Sequence, residues 1–249
     1  MFVILIICFT LNGFGQIKDT TQWNYYRGKI KDISLFIKLS PNDEEKLFRR
    51  ATYKAEIEDY NGVIEDINSC ITLSPKNPDY YYYRGYYKDL LYNEELSKSN
   101  EVLSDYSLAL DIDSNHTKSL NNRANIYQKL KKFDLARKDM KRLISLNPDN
   151  PTTMCNMARL YSAEGDKYTA ITWYNTAIDA KSGFPVPYNN LGKIYTELKK
   201  YKLAMENYNK AIELDNNYTG ALRNRADLKV LMKDQDGACQ DLLKAARLG

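Results

Sequence analysis

The sequence predicts an all-α solenoid of stacked helix pairs, and three observations carry that prediction. A small residue recurs at Ala51, Gly85, Ala124, Ala158, Gly192 and Ala226, at intervals of 34, 39, 34, 34 and 34 residues. Leu39-Ser40-Pro41 returns 34 residues later as Leu73-Ser74-Pro75. Only 11 Gly and 7 Pro occur in 249 residues, few for an all-β chain rich in turns. A fixed period of this size marks a solenoid, in which each unit buries its apolar face only against its neighbours.

Composition bounds the function. A hydrophobic share of 43% excludes wholesale disorder, and a net charge of +4 with no block of five like charges gives no nucleic-acid footprint. Residues 2–11 are almost wholly apolar, too short to span a bilayer, with Gly13 and Gly15 at −3 and −1 before Gln16. The expectation is a signal peptide over 1–15, cleaved near Gly15–Gln16, with no membrane span in the mature chain. The segment lacks a Lys or Arg before its apolar run, and a buried core segment is the alternative. Cleavage implies a secreted or periplasmic protein; retention implies a cytoplasmic one. Cys70, Cys155 and Cys239 have no disulfide or metal spacing, and His116 is the single histidine. No cofactor or metal is expected.

Numbering each repeat so that the recurring small residue is position 8 gives repeats over 44–77, 78–116, 117–150, 151–184, 185–218 and 219–249. Positions 20 and 27 are then mostly small: Ala136, Ala170, Ala204 and Ala238 at 20, and Ala109, Ala177, Ala211 and Ala245 at 27. Position 24 is large and apolar or aromatic, as in Tyr106, Tyr174 and Tyr208. Within "YNKAIEL" the apolar residues fall at near-helical spacing. Prolines at positions 1 and 32 sit between helices, where a missing N–H does least harm.

Across residues 44–249 this pattern resembles the tetratricopeptide repeat (TPR) family, most closely in "YNNLGKIYTELKKYKLAMENYNKAIELDNN" at 188–217. The resemblance implies that each repeat is a pair of antiparallel helices, stacked as a right-handed superhelical solenoid. Two departures stand out. Repeat 2 carries five extra residues near 93–100, which predicts a longer first helix or a longer loop, either a tolerated insertion or a contact loop. "RGKIKDISLFIKLSP" (27–41) aligns with "NGVIEDINSCITLSP" (61–75), so residues 16–43 are expected to hold a half-repeat whose helix, over about 23–38, caps the stack.

A pairing is visible between the two helices. Position 7, normally Leu in the family, is Arg50, Arg84, Arg123, Met157, Leu191 and Arg225. Position 23 is Asp66, Asp105, Asp139, Trp173, Asn207 and Asp241. The repeats with Arg are the repeats with Asp. This predicts structural ion pairs Arg50–Asp66, Arg84–Asp105, Arg123–Asp139 and Arg225–Asp241, with a row of arginines for an acidic ligand as the alternative.

The resemblance also implies that positions 2, 5, 6, 9, 12 and 13 of the first helices face a concave groove. Asn122, Asn156, Asn190 and Asn224 at position 6 read as a ladder of carboxamides, joined by Asn121 and Asn189 at position 5 and Asn125 at position 9. Each carries a donor and an acceptor suited to a peptide backbone. In "YYYYRGYY" (80–87), Tyr81 falls on the family's large core site at position 4, while Tyr82, Tyr83 and Tyr86 fall on groove positions. An aromatic patch is therefore expected beside the asparagine ladder. The family's clamp for a terminal carboxylate needs Lys and Asn residues that this chain replaces with Phe48, Thr52 and Tyr83 in repeats 1 and 2, and with Val186 in repeat 5. No phosphate loop occurs, and Cys155 has no histidine with reason to reach it. The expected function is a non-enzymatic scaffold binding a protein or peptide partner in its groove. The alternative is a structural part of a larger envelope or secretion assembly.

Overall fold

The computed structural model describes residues 20–93 and 95–248. The expected signal peptide and its cleavage site lie outside them. Among the described residues there are thirteen α-helices and no strand. In chain order they are α1 (Thr20–Leu39), α2 (Glu44–Glu56), α3 (Tyr60–Leu73), α4 (Pro78–Leu91), α5 (Ser99–Ile112), α6 (Thr117–Lys129), α7 (Phe133–Leu146), α8 (Pro151–Glu164), α9 (Lys167–Ala180), α10 (Pro185–Glu197), α11 (Tyr201–Leu214), α12 (Thr219–Leu231) and α13 (Gln235–Leu248). They form two compact units, one running to Asp113 and one starting at Ser114. In the first, α1 packs on α2, and the hairpins α2–α3 and α4–α5 stack; in the second, four hairpins from α6–α7 to α12–α13 do the same.

Local chemistry explains where the helices start. Asp43, Asp59 and Asp166 accept the backbone N–H three residues on, each at 3.0 Å, and Asn77 and Asn150 cap α4 and α8. Such caps satisfy donors the helix itself leaves orphaned. Pro78, Pro151 and Pro185 occupy first turns, where proline costs nothing. Each of the six hairpins turns through one left-handed residue: Glu58, Asn93, Lys131, Gly165, Lys199 and Lys233 in order. The extra residues of repeat 2 do not extend α4, which ends at Leu91; they form a turn and a 3₁₀ segment over Leu96–Lys98. Tyr92 donates to Glu101 across it at 2.7 Å.

The core follows the repeat. Ala51, Ala124, Ala158 and Ala226 at position 8 are buried, as are Val63, Val102, Ala136, Ala170 and Ala204 at position 20. Tyr106, Tyr174 and Tyr208 at position 24 fill the space these small residues leave. Gly192 is required by closeness: a Cβ there would lie 2.5 Å from Tyr208 Cε1. On α1, Ile33 and Ile37 join the core made by Leu47, Ala51, Val63 and Ile67, while Leu35, Phe36 and Leu39 are exposed.

Candidate functional site

The four arginine–aspartate combinations each join the two helices of one hairpin. Arg50 donates to Asp66 through Nε at 2.9 Å and a terminal nitrogen at 2.6 Å. Arg123 meets Asp139 at 2.8 and 2.7 Å, and Arg225 meets Asp241 at 2.8 and 2.5 Å, both with the same fork. Arg84 places both nitrogens on one oxygen of Asp105, at 2.9 and 2.6 Å. All four aspartates are buried. Where the arginine is replaced, Met157 and Leu191 are buried instead, so one site accepts either a charge pair or apolar packing.

Two features escaped the sequence reading. Lys54, Lys88 and Lys229, one turn beyond the arginines, approach the second oxygens of Asp66, Asp105 and Asp241 at 2.9, 2.8 and 2.9 Å. The signal was available: position 11 is Lys in three of the four paired repeats, and Tyr127 replaces it in the fourth. The remaining guanidinium nitrogens also reach backwards to a neighbouring hairpin or helix. Arg50 donates to Ser34 at 3.1 Å, Arg84 to Asn68 at 2.9 Å and Arg225 to Asn209 at 2.8 Å. Asp66, Asp105 and Asp241 are thus each the centre of a network holding three helices in register.

The asparagines of the second unit engage one another. Asn156 donates to Asn121 at 2.9 Å and Asn224 to Asn189 at 2.8 Å, so position 6 of one repeat bonds position 5 of the one before. Asn121 donates to Asn122 at 3.2 Å, and Asn125 accepts from Arg159 at 2.8 Å. Asn190 is half-buried on α10. The arrangement is a set of cross-repeat pairs and not a row of independent amides.

The tyrosine run splits differently from the family register. Tyr80, not Tyr81, is the buried ring; its hydroxyl donates to Glu44, which also accepts from Ser74 at 2.5 Å. These two bonds, Ser74 first, hold the Glu44 carboxyl below its ordinary range, and burial followed by the Glu44 contact pushes the Tyr80 phenol up. Tyr81 is half-buried under the Arg84 guanidinium, with its hydroxyl on the Pro75 carbonyl at 3.1 Å. Position 4 is buried where it is aliphatic, as in Leu47, Leu120 and Leu222; a phenol there turns its polar tip outward. Tyr82 stacks on Tyr86 at 6.1 Å and contacts Tyr83 at 5.2 Å. Tyr83 lies 5.4 Å from Phe48 and, with Tyr87, closes a cavity of about 270 Å³ between α2 and α4.

Cys155 is buried in the core, and burial pushes its thiol up to about 12. His116 instead caps α6 through Ser119, so the two do not serve one chemistry. Among the described residues no group of three His, Cys, Asp or Glu could hold a metal, and no helix is long and apolar enough to cross a membrane.

Three profiles described as tetratricopeptide repeat match residues 117–150, 151–183 and 185–218. Residues 117–218 belong to the tetratricopeptide repeat family. A tetratricopeptide repeat protein from Parabacteroides merdae has the same fold, with a TM-score of 0.73 at 17% identity over 92% of this chain and 94% of that one. The structure of Pseudomonas aeruginosa PilF is similar at TM-score 0.63 and 14% identity, over 82% and 91% of the two chains. The Hsp70-Hsp90 organising protein of Plasmodium falciparum is 31% identical over 102 residues, 38% of this chain and 18% of that protein's length. TPR folds of this kind are generally scaffolds for protein–protein interaction.

Proposed function

We propose that this TPR protein holds an extended segment of another protein along the groove-facing residues of its first helices. The observation that carries the reading is the cavity between α2 and α4, walled by Phe48, Tyr83 and Tyr87. Aromatic side chains supply contact area at small entropic cost, and a cavity between successive first helices lies where a bound segment would run. The paired asparagines of the second unit offer polar contacts of a different kind. The test is affinity capture from the native envelope fraction, read by mass spectrometry, with wild type against Tyr83→Ala, which removes a wall of the cavity, or against Asn156→Ala/Asn190→Ala. A partner retained by the wild type and lost by the variant supports the reading; unchanged partners count against it.

A role as chaperone-tail adaptor is not proposed, because the clamp positions hold Phe48, Thr52, Tyr83, Lys118 and Asn122. A second reading, a structural part of a larger assembly, is favoured by Leu242, Leu243 and Leu248, which α13 leaves exposed. It expects association to survive the asparagine substitutions and to fail in Leu242→Glu/Leu243→Glu. We place the protein outside the cytoplasm after cleavage near Gly15–Gln16. Sequencing the mature N-terminus tests this: an intact Met1 start removes it.

A further inference from the structure

We infer that the cavity between α2 and α4 takes a cationic side chain, a lysine or arginine of the bound segment; the inference rests on the groove reading above. Phe48, Tyr83 and Tyr87 line it together with Thr52 and the aliphatic side chains of Ala51, Ala55 and Ile67, and Glu56 is its one charged lining residue. The rings are held in place: Phe48 and Tyr83 lie 5.4 Å apart, and Tyr87 stacks on Tyr60 at 6.0 Å. At about 270 Å³ the space suits one side chain; pockets for drug-sized ligands run to about 300–1,000 Å³.

Charge decides which side chain. Glu56 is exposed, and no cation pairs with it among the described residues. Every lysine and arginine of α2 and α4 already has a carboxylate: Lys46 has Asp43, Arg49 has Glu45, Arg50 and Lys54 share Asp66, and Arg84 and Lys88 share Asp105. No internal cation on these helices is left to neutralise Glu56. A cavity of aromatic rings with one unmatched carboxylate fits a cation, which ring faces attract and a carboxylate pairs. An apolar side chain would use the rings but would strip water from Glu56 without replacing it.

The test pans a random dodecapeptide phage library against the immobilised full chain, then measures the leading peptide by fluorescence polarisation. The expected result is one fixed Arg or Lys. Its replacement by Ala, and separately Glu56→Gln in the protein, should each weaken binding about three- to tenfold. Glu206→Gln, an exposed carboxylate on α11, should leave binding unchanged, and Thr52→Trp, which fills the cavity, should abolish it. Peptides without a basic residue, or equal binding to Glu56→Gln, overturn the cation assignment while leaving the groove reading intact if Thr52→Trp still blocks. A library with no enriched sequence, or binding undiminished in Thr52→Trp, overturns both.

Discussion

Lys54 lies 2.9 Å from Asp66, at the carboxylate oxygen that Arg50 Nε also meets, while the Arg50 terminal nitrogen takes the other oxygen. The aspartate is buried, and two cations converge on it. Removing it would strand both, so Asp66→Ala should cost about 3–5 kcal/mol, the usual penalty for an uncompensated buried charge. Lys54→Met should cost less, because the Arg50 fork survives. The simplest test of coupling is the third repeat, where Tyr127 stands in place of the lysine. Arg123→Met and Asp139→Leu should each destabilise, and the double variant should recover much of the loss. Urea midpoints at constant m-value give the comparison. Additive losses would refute the pairing as an energetic unit.

Gly192 and Tyr208 set a second expectation. A methyl at Gly192 would stand 2.5–2.8 Å from three ring atoms of Tyr208, a buried side chain with little room to withdraw. Gly192→Ala should cost about 1–3 kcal/mol, the range for overpacking a dense core. Gly85→Ala meets Tyr106 at 3.0–3.2 Å and should cost less. Adding Tyr208→Met to Gly192→Ala should relieve the clash. Thermal midpoints that rank Gly85→Ala as the more damaging change would contradict this.

The fold was legible because the repeat prints the same packing problem six times. Small residues at positions 8, 20 and 27 must fit where helices cross, so their spacing survives in the sequence. The arginine–aspartate combinations were legible for a related reason: a buried charge needs its partner, and both vary together between repeats. The lysines were missed although Lys54, Lys88 and Lys229 share a face with the arginines four residues earlier. Tyr80 was missed because position 3 carries no apolar signature elsewhere. There it is Lys46, Ser119, Thr153, Pro187 or Ala221; the last four are buried, but sequence hydrophobicity does not mark them. The asparagine pairs were hidden because they link position 6 to position 5 of another repeat, a register only the stacking creates.

Acid should weaken the last hairpin. Burial pushes the Asp241 carboxyl up, but hydrogen bonds from Arg225 and Lys229 overcome that, and its pKa falls below the ordinary value. A carboxyl with a lowered folded pKa contributes stability that is present above its unfolded pKa, about 3.9, and lost as pH falls through the folded value. Glu44 acts with the same sign. Stability measured by denaturant titration should therefore hold from neutral pH to about 5 and decline below about 4. Asp241→Asn should be less stable at pH 7 and show a shallower decline. An unchanged acid limb in that variant would exclude Asp241 as a source of the effect.

Alkali should act through the thiols, with the opposite sense. Burial, as the largest cause, pushes Cys70 and Cys155 each up to about 12, against about 8.5 for a free cysteine. A thiol whose folded pKa is raised contributes stability that is complete below its unfolded pKa and is lost as pH rises towards the folded one. The two cysteines should thus make the fold progressively weaker above about pH 9. The same burial controls reactivity, since the thiolate is the nucleophile and these two stay protonated and covered. Cys239 on α13 is exposed. At pH 8 iodoacetamide should modify Cys239 within minutes, while Cys70 and Cys155 should react only after unfolding, as peptide mass mapping would report. Rapid labelling of Cys155 in the folded chain would mean that the hairpin α8–α9 opens far more readily than its packing allows. In Cys70→Ala/Cys155→Ala the alkaline decline should begin later than in the wild type, although the smaller side chains lower stability at neutral pH.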